Sequence, residues 1–472
     1  MKYCTAVFDI GKTNKKLLLF DRDGLVISES CRSFEEIEDD DGFPCDDIAA
    51  IASWVREEWN TLLLNKNIIV ESLNFTSYGA SFVHLDQQNH VCTPLYNYLK
   101  PFPDKLATEF YQKYGGELNF SVQTASPAMG MLNSGLQLYW LKYCKPELFQ
   151  TISSSLHLPQ YLSFLFTGKK TSEYTSIGCH TALWDFEKNA YHRWVEKEGI
   201  LNLFPEVKTN TCYFLTKDNI QVSVGGGLHD SSSALIPYKK SYKDPFLLIS
   251  TGTWCIVLNP YNRSQLKQDE LSRDCLNFLS PEGKAVRASR VFLGMEHDFQ
   301  AKRIAAYFNV SNDFYKTISY SPEKLRQLMS FTNDLSFDNK LVPACMNGTG
   351  PLPYEYSGEW DLAGFKDYEE AYYQLILDLT SLLKLSVLIA DDNNAGKIFV
   401  DGGFSKNFIF MQFVANHFPE KQVMSSEIAQ ATALGAALEV NELISNMQWN
   451  LKSFQADELS AGLEKYFKAN YL

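Results

Sequence analysis

The chain has 472 residues, 45% of them hydrophobic, and a formal net charge of -13. That is more chain than one core organises, so at least two domains are expected. The acidic balance argues against generic binding to nucleic acid or an anionic membrane surface. It points to a small-molecule partner, with room for a local basic site that takes an anionic cofactor. The 10 cysteines are scattered, with no C-x-x-C pair and no zinc-ligand spacing with the 8 histidines, a pattern of reduced thiols. The start, "MKYCTAVFDI", carries too short an apolar run for a signal peptide, so the expected location is cytoplasmic.

Taken in chain order, "TAVFDIGKTNKKLLLFD" sets two apolar runs around a polar turn with Gly11, Thr13 and Asn14, a hairpin pattern. The acidic segment "EEIEDDDGFPCDD", Glu35 to Asp47, reads either as a solvated loop or as an interaction surface. "VSVGGGLHDSSSALI" follows a strand-like run with three glycines, then His229 and Asp230, then serines able to cap a helix. Spacing leaves two roles open for Asp230. It is either an acid at a helix N-terminus, or a carboxylate in a glycine-opened cleft that accepts a substrate hydroxyl proton.

"PFLLISTGTWCIVLNP" repeats the hairpin design around Ser250 to Thr253, which suggests two similarly built domains, unless the two hairpins are unrelated. Both turns set small hydroxyl residues beside glycine, which suits closely approached phosphate oxygens. An irregular section is expected next. "AYYQLILDLTSLLKLSVLIA", Ala371 to Ala390, has the length of a membrane span, but Asp378 and Lys384 interrupt it and a long buried helix is expected instead. "KIFVDGGFSKNFIFMQFVANHF" reads as a strand at Ile398 to Val400, a turn at Gly402 and Gly403, and a helix after Ser405. A double glycine there serves either as a plain turn or as bare backbone against a nucleotide. "SSEIAQATALGAALEV" gathers Ala429, Ala431, Ala433, Gly435 and Ala436 in one helical run, open to close approach by a neighbouring helix or a ligand.

Familiar nucleotide motifs fail. "GKT" at Gly11 to Thr13 would need a glycine where Ala6 stands, and Gly225 to Gly227 would need one at Asp230. Ser231 to Ser233 do not form a nucleophile elbow.

Together the segments resemble the FGGY carbohydrate kinases of the actin-like, ribonuclease-H-like superfamily. "DIGKTNKKLLLFD" is similar to the first phosphate motif through Asp9, Gly11, Thr13 and Lys16, with Lys12 in place of a Thr or Ser. "STGTW" resembles the second phosphate motif, and "VDGGFSKNFIFMQFVA" the adenosine motif through Gly402, Gly403, Ser405, Asn407 and Gln412. "GGGLHDSSSA" resembles the segment with the general base, which implies that role for Asp230. The order matches over nearly the whole chain.

The resemblance implies an α/β protein of two ribonuclease-H-like domains flanking a deep cleft, 1–240 mainly for sugar and 241–472 mainly for ATP. It implies ATP and Mg²⁺, with Asp9 holding the ion through water. Thr251, Gly252 and Thr253 would meet the phosphates, with Thr13 and Lys16 near them; Lys16 reads equally as a solvated strand-end charge. "FTSYGASFVHLD" takes the place of the sugar-facing strand and turn, making Tyr78 and Gly79 candidates for ligand contact against a purely structural turn. His229 either orients the substrate or satisfies its loop, and His180 either reaches the pocket or, as expected, packs in the core.

"HDSSSA", "STGTW" and "LQLYWLK" look most like the rhamnulokinase and fuculokinase branch, implying phosphorylation of a ketose such as L-rhamnulose or L-fuculose at O1. Gln137 stands where many members have Lys, and Gln430 where Glu is frequent. The alternatives are a kinase for another pentulose or polyol, a non-catalytic sugar or nucleotide sensor, and a chaperone-like or structural ATPase. Neither nucleic acid nor membrane is expected as a partner, and the protein is expected as a monomer or homodimer.

Overall fold

Two meanders of the same build organise the protein. The computed structural model describes residues 2–208, 212–215, 221–331, 340–346, 348–352, 357–426, 428, 430–444 and 450–472, with backbone alone at 212–215 and 329–331. Ala429, expected in the small-residue helix, lies outside the described residues.

The run "KYCTAVFDI" forms β1 (Lys2–Ile10), whose stretch from Cys4 to Phe8 is buried, as suits a strand covered on both faces. Gly11 N donates to Asn14 O (3.0 Å) and turns the chain into β2 (Lys15–Phe20), antiparallel to β1, with Asp9 opposite Lys16. β3 (Val26–Arg32) completes the meander. Helix α1 (Ile48–Leu64) starts at Asp47, whose carboxylate accepts from Ala49 N (2.9 Å) and Ala50 N (3.0 Å). β4 (Ile68–Ser77) then lies parallel to β1, placing Asp9 opposite Thr76. With β5 (Cys212–Leu215) and β6 (Gln221–Val224) the sheet order is β5-β6-β4-β1-β2-β3, and β7 (Leu228–His229) also pairs with β4. Helices α2 (Ser134–Cys144), α3 (Leu158–Thr167) and the short α4 (Asp230–Ser233) belong to the same unit.

The second meander is β8 (Phe246–Thr251), β9 (Cys255–Asn259) and β11 (Ala285–Val291), the last preceded by β10 (Cys275–Leu279). β12 (Lys397–Gly402) is parallel to β8, β13 (Gln422–Ser426) to β12, and β14 (Leu451–Phe454) closes the edge, giving β10-β11-β9-β8-β12-β13-β14. The inner order, a three-strand antiparallel meander followed by two parallel strands, is the same in both sheets. The two hairpins are therefore related in architecture.

The section expected to be irregular instead holds the β10–β11 hairpin and helix α5 (Leu293–Tyr307). Glu296, His297 and Gln300 on α5 are buried, so the apolar stripe that announces a helix is broken by polar residues facing inward.

Helix α6 (Tyr368–Ala390) has the length and composition of a membrane span, yet 89% of its most apolar window is buried within the protein. Its interrupting charges are matched inside: Asp378 accepts from Leu341 N (2.8 Å), Gln374 Nε2 (2.8 Å) and the hydroxyls of Tyr466 and Tyr471, and Lys384 pairs with Glu464. The helix after Ser405 is α7 (Phe408–His417). The small-residue helix is α8 (Ala431–Val440), and its close neighbour is α4. A Cβ at Gly435 would fall inside the van der Waals shell of Ser233 O, and Ser233 Oγ donates to Thr432 O (2.7 Å).

Two compact units result. One comprises Met1–Lys243, Asn277–Ala285 and Ala429–Gln448; the other comprises Asp244–Leu276, Val286–Ile428 and Trp449–Leu472. Where the sequence placed one boundary at 240/241, the contacts interleave the chain. No disulfide joins the nine cysteines whose side chains are described.

Candidate active site

In the first unit the ends of β1, β4 and β7 bring acids together. Asp9, one residue before the end of β1, is pushed up to about 7, first by burial, then by the charge of Asp230 and further by Glu29, against the pull of Lys16. Lys16, its cross-strand neighbour, pairs with Glu29 (2.9 Å). Asp230 opens α4 as its first residue, and its carboxylate accepts from the N–H and hydroxyl of Ser231. The helix starts at the acid itself, so the serines expected to cap it lie inside it.

His229 is buried and fully engaged. Its Nε2 lies 3.1 Å from both Cys179 Sγ and Asp230 Oδ1, Nδ1 is 3.3 Å from Ser232 Oγ, and its backbone N–H donates to Thr175 Oγ1 (2.9 Å). Burial lowers its pKa, so the ring beside Asp230 is neutral at physiological pH. Gly79 fits against this imidazole: a Cβ there would stand 3.1 Å from His229 Cδ2. Asp9, Lys16, His229 and Asp230 are thus brought together, with Gly79 packed on the histidine.

Tyr78 is placed differently. Its hydroxyl donates to Asp46 Oδ2 (2.8 Å), and Asp46 also takes Lys12 Nζ (2.7 Å) and Lys15 Nζ (2.8 Å). Against the upward push of burial, these three hydrogen bonds hold the Asp46 carboxyl below its usual range. Lys12, which also reaches Glu36 (2.8 Å), is therefore part of an internal ion network. Thr13 is exposed at the hairpin turn.

In the acidic segment 35–47, Glu35, Glu36, Glu38, Asp40 and Asp41 are exposed, as a solvated loop would be, but part of the segment is held inside. Asp39 and Asp46 are buried, Lys100 pairs with Asp39 and Asp41, and Lys145 reaches Asp40 (2.7 Å) and Asp41 (2.6 Å). Gln137 is also internal, donating to Ala80 O and Met131 O (both 2.8 Å), and so steadies the turn after Gly79. His180 Nδ1 lies 3.2 Å from Leu132 O, and Gln430 adopts a left-handed conformation before α8, with Nε2 3.5 Å from Glu29.

The second unit has a cavity of about 250 Å³ lined by Thr251, Gly252, Thr253, Gly403, Asn407 and, unforeseen in the sequence, Gly294, His297, Asp298, Tyr315 and Phe404. Its floor is made of backbone. A Cβ at Gly402 (φ +88) or at Gly294 would overlap Thr251 O or Gly252 O, so both glycines are required for close packing. Gly403, exposed, would meet nothing within 4 Å. Thr251 Oγ1 donates to Asp401 O and accepts from Phe404 N (3.1 Å), which fixes the turn after β12. Gly402 itself packs beneath this turn, and Ser405 Oγ donates to Gly402 O (2.7 Å). Asn407 caps α7 by accepting from Phe410 N (3.1 Å) and donates through Nδ2 to Tyr372 OH (2.8 Å), leaving one amide hydrogen for a ligand. Gln412, the last residue matched in the adenosine motif, donates to Gln455 O (2.7 Å). His297 Nε2 meets the same phenol (3.0 Å), and Tyr315 stacks on Tyr372 with ring centroids 5.7 Å apart. Among the lining residues, glycine backbone with the Thr253 hydroxyl suits a polyphosphate, and the aromatic rings of Tyr315 and Phe404 suit a nucleoside base.

Acids at the strand ends of one meander and a glycine-floored pocket on the other suit a two-domain ATP-dependent phosphotransferase. The FGGY family of carbohydrate kinases, N-terminal domain, matches residues 4–236, and the carbohydrate kinase FGGY, C-terminal domain, matches 243–448. A rhamnulokinase of Oceanobacillus iheyensis is 23% identical over 461 residues, 92% of each chain. A carbohydrate kinase from Novosphingobium aromaticivorans has the same fold, with a TM-score of 0.81 at 23% identity over 100% of both chains. A xylulose kinase from Lactobacillus acidophilus follows with a TM-score of 0.76 at 17% identity over 99% of this chain and 96% of that one. The chain belongs to the FGGY family of carbohydrate kinases and is an ATP-dependent sugar kinase.

Proposed function

We propose that this kinase phosphorylates a 6-deoxyketose such as L-rhamnulose or L-fuculose at O1, with Asp230 as the general base. The observation that carries the chemistry is the placement of Asp230 beside a neutral His229 and within the field of Asp9. An ionised carboxylate there takes the O1 proton as O1 forms a bond to the γ-phosphorus and the bond from that phosphorus to the ADP oxygen breaks. Likeness to a rhamnulokinase along 92% of both chains supports the ketose. A kinase for another pentulose or polyol is the second reading, favoured by the equally complete fold likeness to xylulose kinases.

The residues present fit Mg²⁺. Asp9 lies within the electrostatic field of Asp230 and of Glu29, which is paired with Lys16, and a hard divalent cation takes carboxylate oxygens such as that of Asp9. Asp9 would hold the ion through water; when bound, it neutralises phosphate oxygens during transfer. Gly402 shapes and Gly403 opens the backbone against which ATP lies, Thr251, Gly252 and Thr253 take its phosphates with Thr13 and Lys16 as further phosphate contacts, and Ser405 and Asn407 secure the turn at the nucleoside. Gly79 gives the sugar access to the His229–Asp230 pair, with Tyr78 fixed behind it.

ADP release from Mg-ATP is the test, measured across L-rhamnulose, L-fuculose, L-ribulose, L- and D-xylulose and glycerol. Highest kcat/KM on a 6-deoxyketose is expected. Preference for a pentulose or glycerol overturns the substrate reading, and turnover surviving in Asp230→Asn overturns the base.

A further inference from the structure

Every polar side chain but one on the segment 95–100 is engaged in holding it to the acidic segment 36–47. Leu95 bridges to Asp46 through the backbone. Tyr96 OH donates to Asp40 Oδ2 (3.1 Å), and Asn97 Nδ2 donates to Pro44 O (2.9 Å). Asn97 also accepts from Leu99 N through its side chain and from Lys100 N through its carbonyl (both 3.0 Å). Lys100 is buried, pairs with Asp39 and Asp41, and lies over the rings of Tyr96 (5.3 Å) and Trp140 (5.2 Å).

Tyr98 is the exception. Its half-buried ring packs edge-on against Tyr78, with centroids 6.2 Å apart at 63°, and its hydroxyl has no hydrogen-bond partner among the described residues. Tyr78 in turn is fixed by Asp46 and adjoins Gly79, the residue that packs on His229. A phenol on a platform this constrained loses little freedom on binding, and an unmade hydrogen bond is available to a hydroxylated ligand. Burial raises the Tyr98 pKa, Lys12 lowers it, and Asp46 and Asp230 raise it further, so the phenol stays protonated and within electrostatic reach of the proposed base.

We infer that Tyr98 is a specificity-determining residue that hydrogen-bonds a sugar hydroxyl other than the one phosphorylated, its ring seated on Tyr78 and its loop clamped by Asp39, Asp40, Asp46 and Lys100. The inference rests on the sugar-kinase reading of Asp230 and names the residue that sorts sugars for it. The acidic segment then acts as a clasp that sets the height of this phenol.

The test compares wild type with Tyr98→Phe on the ketose panel and on deoxy analogues of the best ketose, by steady-state kinetics and by calorimetric titration of sugar. Tyr98→Phe is expected to raise the sugar KM and Kd about tenfold, the loss of one hydrogen bond, with the KM for ATP unchanged. On the one analogue lacking the contacted hydroxyl, wild type and variant are expected to coincide. Tyr96→Phe, which loses only the clasp contact to Asp40, is the control: its thermal midpoint should fall while sugar selectivity stays. Equal sugar constants in wild type and Tyr98→Phe overturn the inference alone, as does a loss identical on every analogue. A wild type that neither binds nor phosphorylates any ketose of the panel overturns the ketose reading together with it.

Discussion

The two sheets share a strand order and differ at their strand ends. The first unit sets Asp9 within the field of Asp230 and of the Lys16–Glu29 pair, and holds a second ion network of Asp46, Lys12 and Lys15. The second lines its cavity with Gly252, Gly294, Gly403 and two threonines, and its one acid on the wall is Asp298. On the proposed function, one architecture serves two tasks. Charged ends suit proton transfer and ion holding, where a carboxylate does the chemistry, and bare backbone suits a polyphosphate, whose negative charge would be repelled by acids.

Exchanging the character of single residues should break this division in graded steps. The largest effect is expected for Asp230→Asn: kcat down by roughly 10²- to 10⁴-fold, the range for removing a general base, with ATP affinity by calorimetry unchanged because the nucleotide cavity lies in the other unit. Next is the glycine floor. Gly402→Ala forces a Cβ against Thr251 O at a positive φ and should weaken ATP binding by about 100-fold or more, whereas Gly403→Ala, with open space around it, should cost about tenfold or less. Equal losses in the two variants would show that shape at this turn does not matter.

Asp9 separates function from stability. Its carboxyl titrates near 7 in the fold against 3.8 in the unfolded chain, so between those values the unfolded chain is charged while the folded chain keeps its proton, and stability falls as pH rises through that window. Asp9→Asn should abolish most turnover yet raise the thermal midpoint of the nucleotide-free enzyme at pH 8 by about 3 °C, with no gain at pH 4. A lower midpoint at pH 8 would contradict burial as the cause of the shift. The smallest effect is expected for Lys12→Thr. Asp46 keeps Lys15 and Tyr78, so the loss should be about 1 kcal/mol by denaturant unfolding, with selectivity across the ketose panel unchanged.

Both hairpins, α6 and the turn at Gly402 and Gly403 were legible because local pattern decides them: apolar runs, turn residues and a long apolar helix. Gly294 and His297 escaped notice because α5 buries Glu296, His297 and Gln300, which masks its periodicity, and Tyr315 lies beyond that helix in a short turn with no pattern of its own. Gly294 does leave a signal, a glycine inside a helix, which costs stability unless packing demands it. The Asp46 network was illegible for another reason. Its members, Lys12, Lys15, Asp46 and Tyr78, meet only through tertiary pairing, and a run of acids looks solvated until the lysines that neutralise it are placed. Tyr98 carried no signal beyond being one of 25 tyrosines.

The contact between α8 and the rest of the first unit has a bearing on synthesis. Asn74 donates to Ala436 O (2.7 Å), Gly435 rests on Ser233, and Lys240 reaches Leu438 O, so the helix behind Asp230 comes from the far end of the chain. A ribosome that has finished the first 243 residues has not yet made the segment that backs α4. The nascent first unit must therefore wait, with the groove for α8 uncovered, until nearly all of the second has emerged, and a fragment cut at the apparent domain boundary should be a poor folder and an inactive one.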